Sequence, residues 1–275
     1  MRFLIALFSF TLPILAQDWS LERLYTRPFL WGTTPSDLTW SKKGHTLVFT
    51  WNAEGSYFMD LYAYHPDQRK LVRLTAFEGM KDELNASEEE KDARLRALMA
   101  PASGIRAFDV SNDGARVAFS YRGDLYLVRT DGSAPSFRLT RTKAGEGSPR
   151  FSPDGTKLAF TRAGELHVQD LASGQLWQAT DADSTKERLA DWRWSPDGRW
   201  FVYMTRRGEG RATIIPNYSG RFVVAHPFPR SVAGDEPQES ALYVVASDGG
   251  KPKALETGSL GKRVYLDTPD WSPDS

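Results

Sequence analysis

One short pattern recurs five times along this chain, as Trp40-Ser41-Lys42-Lys43-Gly44, Val110-Ser111-Asn112-Asp113-Gly114, Phe151-Ser152-Pro153-Asp154-Gly155, Trp194-Ser195-Pro196-Asp197-Gly198 and Trp271-Ser272-Pro273-Asp274-Ser275. Each copy reads as a hydrophobic anchor followed by a turn. Pro presets φ in the turn, Asp or Asn bonds back to its own backbone, and Gly takes a positive φ. The first four copies are each followed by a run rich in β-branched and aromatic residues, which predicts strands at 46–50, 116–120, 157–161 and 200–204.

The intervals Ser111 to Ser152 and Ser152 to Ser195 match the roughly 40 to 45 residues of a four-stranded propeller blade. Within them further strands are predicted at 124–129, 137–140, 165–170 and 175–179, with turns at Asp131-Gly132 and Ser173-Gly174. The first blade repeats the scheme at 59–64 and 71–75. The two longer intervals each read as one blade plus an insertion of about 30 residues. The first insertion, 78–101, is rich in Glu, Lys, Ala and Leu up to the breaker Pro101 and predicts a surface helix. The second, 206–238, is dense in Gly and Pro and predicts an extended excursion or long hairpin, followed by a strand at 241–245. The expected fold is all-β: a partial β-propeller of about four to five four-stranded blades with one helical insertion. It occupies residues 17–275 and ends within a blade.

The amino terminus places Met1-Arg2 before an apolar run from Phe3 to Leu15 and a small residue, Ala16. That order is the layout of a secretory signal peptide over residues 1–16, and a bilayer-spanning helix would need about 20 apolar residues. A secreted or periplasmic protein, with no membrane contact after cleavage, is expected. The chain has no cysteine, which excludes disulfides and thiolate metal sites. Its 35 basic and 35 acidic residues balance, so no global field recruits nucleic acid. His45, His65, His167 and His226 make no ligand spacing, so neither a metal nor another cofactor is expected. The tryptophans at the repeat anchors read as packing between blades rather than as a sugar platform.

The phrases Gly123-Asp124-Leu125-Tyr126-Leu127-Val128, Phe151-Ser152-Pro153-Asp154-Gly155-Thr156-Lys157-Leu158-Ala159-Phe160 and Trp192-Arg193-Trp194-Ser195-Pro196-Asp197-Gly198 resemble the N-terminal propeller region of dipeptidyl peptidase IV-like serine peptidases of the prolyl oligopeptidase family. So do the charged insertion before Gly104-Ile105 and the stretch Pro227-Phe228-Pro229-Arg230 to Ala233-Gly234-Asp235-Glu236-Pro237, which looks like the family's Tyr-Pro … Ala-Gly … Asn-Pro segment. The resemblance implies a propeller that caps a C-terminal α/β-hydrolase domain and gates peptide substrates. The hydrolase nucleophile of that family sits in Gly-x-Ser-x-Gly, a motif found nowhere in these 275 residues, so no catalytic residue is assigned. The family also carries a glutamate pair that holds the substrate's free amine. The matching stretch 181–190 contains one glutamate, Glu187, which is the substrate-binding candidate, with a solvated surface carboxylate as the alternative. The Ser-Pro-Asp-Gly turn is shared with TolB-like exported propellers, which gives a second reading: a protein-binding module without catalysis.

Overall fold

The structure is a computed structural model that describes residues 20–21, 32–55, 58–76, 104–180, 187–207, 212–217, 224–229, 239–256 and 269–273. The expected leader at 1–16 and the expected helix at 78–101 lie outside the described residues.

Four antiparallel four-stranded sheets follow one another along the chain. The first is β1 (Ser36–Trp40), β2 (Leu47–Trp51), β3 (Asp60–His65) and β4 (Lys70–Arg73). The second is β5 (Ala107–Val110), β6 (Arg116–Tyr121), β7 (Asp124–Arg129) and β8 (Phe137–Arg138). The third is β9 (Glu146–Phe151), β10 (Lys157–Arg162), β11 (Glu165–Asp170) and β12 (Leu176–Gln178). The fourth is β13 (Glu187–Trp194), β14 (Trp200–Arg207), β17 (Glu239–Ala246) and β18 (Lys253–Leu255). Between β14 and β17 the chain forms a separate antiparallel pair, β15 (Ala212–Asn217) with β16 (Val224–Pro229).

Each repeat turn is built by the side chains that the sequence supplies. The hydroxyls of Ser111, Ser152 and Ser195 donate to Asp113, Asp154 and Asp197 at 2.5, 2.6 and 2.6 Å. Each carboxylate in turn accepts a backbone N–H two residues on, from Ala115, Thr156 and Arg199, at 3.0 Å. The hydroxyl oxygens accept the N–H five residues on, which closes the hairpin. Gly114, Gly155 and Gly198 have φ of 73, 73 and 72°. The Ser195 hydroxyl, with help from Arg199, holds the Asp197 carboxyl down to about 2. In the first copy Lys43 replaces the aspartate, and its backbone N–H reaches across to Asn112 O of the next turn at 2.8 Å. Asn112 Nδ2 then reaches Pro153 O at 2.6 Å, so successive turns are stitched into one row.

A second device recurs at the close of the outer strands of the first three blades. Thr75, Thr140 and Thr180 accept the N–H of Leu61, Leu125 and Leu166 at 2.9 Å through their hydroxyls. The same hydroxyls donate to the buried carboxylates of Asp60, Glu146 and Glu165 at 2.7, 2.7 and 2.6 Å.

The sheets pack face to face because strand alternation sends neighbouring residues to opposite faces. Val117 and Phe119 face the first sheet, with Val48, Leu61 and Ala63, whereas Ala118 between them faces Phe151, Leu158 and Phe160 of the third. Ala159 likewise faces Trp192, Phe201 and Tyr203 of the fourth. A small residue therefore meets large ones at each junction. The opening strands β1, β5 and β9 lie against one another, so the sheets converge at their first strands. This is the arrangement of propeller blades around an axis. The anchors Val110 and Phe151 are buried at 7 and 6% exposure, but Trp40 is 57% exposed. Trp40 stands on the face of the first blade that no described residue covers.

Candidate functional site

Three of the four opening strands, β1, β9 and β13, are not regular. In β1 the register shifts between Ser36 and Thr39, and in β13 between Leu189 and Asp191. The opposing strand of the third blade marks the same irregularity in β9, where Gly147 pairs with Thr161 and Arg150 with Ala159. Asp37 and Ser148, each four residues before a repeat serine, carry φ of 54 and 48°. These bulges re-aim side chains at one end of the opening strands. The same end holds the turn Ala163-Gly164 between β10 and β11, the root of the β15–β16 pair, and Glu187 at the start of β13.

At this end a cleft of ≈ 220 Å³ opens between the third and fourth blades, lined by Gly145, Ser148, Thr161, Ala163, Gly164, Leu189, Ala190, Asp191 and Trp192. Ala163 also has a positive φ, 50°, so two strained non-glycine residues face one cleft. Asp191 gathers donors: its Oδ1 accepts from Trp192 N at 2.8 Å, Arg150 Nη2 at 2.9 Å and Arg193 Nη1 at 3.0 Å.

Glu187, the sequence candidate, lies two residues from this lining, with 21% of its side chain exposed. Its Oε2 accepts from Thr205 Oγ1 at 2.9 Å and from the Tyr243 hydroxyl at 3.3 Å, and its Oε1 meets Arg207 Nη2 at 3.3 Å. Burial first, then the Glu187 charge, raises the Tyr243 hydroxyl above its ordinary value. The carboxylate is thus held within its own blade by cross-strand neighbours. His167 stacks on Phe160 with centroids 6.0 Å apart, and burial lowers its pKa.

Residues that the sequence reading passed over share one repeat offset. Asp109, Arg150 and Arg193 each stand two places before the repeat serine, on β5, β9 and β13. Asp109 Oδ2 accepts the N–H of Phe151 from the next blade at 2.7 Å. Trp194 Nε1 donates to Arg150 O at 3.2 Å across the following junction. The common offset from Ser111, Ser152 and Ser195 was the signal available to find them.

Asp109 yields a pH prediction. Burial is the largest influence and raises its carboxyl above the ordinary range, against the N–H bonds from Phe151 and Val110 and the charge of Arg150. The folded chain then holds this proton more tightly than the unfolded one. The contribution of Asp109 is most favourable below about pH 4 and is lost as pH rises through the raised value. Asp109→Asn keeps the acceptor for Phe151 without the charge. We expect its stability relative to wild type to improve as pH rises from about 3 to about 8, read from urea midpoints. A difference that does not change with pH would sink this reading.

No family model matches the chain. A protein TolB homologue of Chlorobium luteolum is 37% identical over 90 residues, covering 30% of this chain and 20% of that protein. A dipeptidyl-peptidase 5 of Porphyromonas gingivalis is 31% identical over 130 residues, 39% of this chain and 19% of that protein. Among solved structures, dipeptidyl peptidase 4 of Porphyromonas gingivalis superposes with a TM-score of 0.55 at 15% identity, over 84% of this chain and 36% of that one. The fold is that of a dipeptidyl-peptidase-IV-like propeller region. The chain spans about a fifth of the length of these two curated relatives.

Proposed function

We propose that this chain is the non-catalytic propeller portion of an exported dipeptidyl peptidase IV-like serine peptidase. In this reading residues 1–16 direct export to the periplasm or the medium. The blades cap a C-terminal α/β-hydrolase domain and gate the entry of peptides to it. The end bearing the bulged strands, the cleft and Glu187 faces the substrate, and Glu187 contacts its free amine. The observation that carries the proposal is the gathering of strained backbone, an open cleft and the Glu187 carboxylate at one end of the opening strands. Bulges and strained turns collect where side chains must be aimed at a ligand.

The likeness to the TolB homologue supports the second reading, an exported propeller that binds a folded protein partner. The two separate in a titration of short peptides followed by tryptophan fluorescence. Peptides with a free amine should bind, and Glu187→Gln should weaken them about tenfold, the worth of one hydrogen bond to a charged group. N-acetylated peptides should bind no better than that variant does. Failure of every short peptide to bind would overturn the peptidase reading and leave the protein-binding one.

A further inference from the structure

The Arg150 and Arg193 side chains crowd one acceptor. Both guanidinium groups donate to the same oxygen, Asp191 Oδ1, at 2.9 and 3.0 Å, and that oxygen also holds the Trp192 N–H at 2.8 Å. Arg150 lies over the Trp192 ring, 4.7 Å from its centroid, and its buried Nη1 has no hydrogen-bond partner among the described residues. Arg193 also donates to Trp192 O at 3.1 Å, through the same Nη1. Two forked cations with ten donors between them thus share a single carboxylate oxygen.

Among the described residues, the other acids nearby do not make up the deficit. Asp109 turns its carboxylate to the backbone N–H groups of Phe151 and Val110. Asp270, at the same repeat offset one blade on, accepts from Trp271 N at 2.9 Å and forms no ion pair with Arg193 among the described residues. Burial and then the charge of Arg193 lower the pKa of Arg150, the mark of a cation short of counter-charge. The pair is also reachable, with 27 and 34% of the two side chains exposed, beside the ≈ 220 Å³ cleft that Asp191 and Trp192 line.

We propose that the wall between the third and fourth blades is a carboxylate-binding site, where Arg150 and Arg193 together receive one anionic group seated in the adjoining cleft. Planar guanidinium forks match a carboxylate in two-bond geometry, which a lysine pair would not. The anion supplies the acceptors that one aspartate oxygen lacks, and it relieves the repulsion between the two cations. The carboxylate comes from a free small acid or from an acidic residue of a peptide. This inference does not depend on Glu187 or on a hydrolase partner.

The test titrates the chain with succinate, with the blocked peptide Ac-Ala-Glu-Ala-NH₂ and with its glutamine counterpart, at fixed ionic strength and by calorimetry. Binding of succinate identifies a free acid as a ligand, and binding of the glutamate peptide alone identifies an acidic side chain. Arg193→Met keeps the aliphatic stem and should weaken either ligand at least about tenfold. It should leave the melting temperature in carboxylate-free buffer unchanged or higher, because Arg150 loses a like-charged neighbour. Arg199→Met, which removes an exposed guanidinium paired with Asp197, should bind as wild type does. Binding of neither acid, equal binding of the glutamine peptide, or a lower melting temperature for Arg193→Met with unchanged affinity would each overturn the proposal.

Discussion

Replacing Trp192 by alanine should destabilise the chain by about 3–5 kcal/mol, the range for removing a large aromatic side chain from a packed interior. Trp192 is 1% exposed and belongs to the core between the third and fourth blades, with Ala159, Leu166, Val168, Phe201, Tyr203 and Val245. Its ring meets Phe201 edge-on at 5.6 Å and carries the Arg150 guanidinium on its face at 4.7 Å. The neighbours sit on four different strands, so the cavity cannot be closed by moving any one of them. The side chain left over the void is a cation, which adds desolvation without the π-face that offset it. Trp192→Phe retains the edge contact and should cost distinctly less. Urea midpoints at constant m-value measure both variants. A loss below about 1 kcal/mol for the alanine variant would mean that the third and fourth blades are not packed as described.

The contrast between Trp192 and the repeat turns explains what the sequence disclosed. The Ser-Pro-Asp-Gly turns were legible because their bonds close within five residues, as Ser152 shows with Asp154 and Lys157. The strands after them were legible for the same reason, and β7 and β11 fall on the expected residues 124–129 and 165–170. The opening strands β1, β5, β9 and β13 were seen only as anchors. Two causes hid three of them: bulges in β1, β9 and β13 break the two-residue alternation that marks a strand, and β9 includes Gly147 and Pro149. The environment of Glu187 was out of reach because Thr205, Arg207 and Tyr243 come to it through strand register, not proximity in sequence. Asp109 and Arg150 act across junctions one blade apart. Such contacts are invisible in a single repeat and emerge only when equal offsets in successive repeats are set side by side.

Junctions also explain why a residue with no side chain should be among the least replaceable. Gly104 pairs with Met59 in a parallel bridge where the chain enters the second blade beside the third strand of the first. The next residue, Ile105, donates its N–H to Met59 O at 3.0 Å and is 1% exposed in the core between these blades. A Cβ on Gly104 would stand 2.4 Å from Met59 N and 2.6 Å from Met59 O, and its φ is 110°. Both objections fall on backbone, which no side-chain rotation relieves. Gly104→Ala should therefore cost about 3 kcal/mol or more, the sum of a strained φ and an overpacked contact. Gly174→Ala separates the two contributions: its φ is also positive, 73°, but nothing lies within 4 Å of the added carbon. That variant should lose only about 1–2 kcal/mol, the cost of the conformation alone. Equal losses in the two variants, compared in parallel denaturant titrations, would show that the Met59 backbone yields and that this junction does not fix how the first two blades meet.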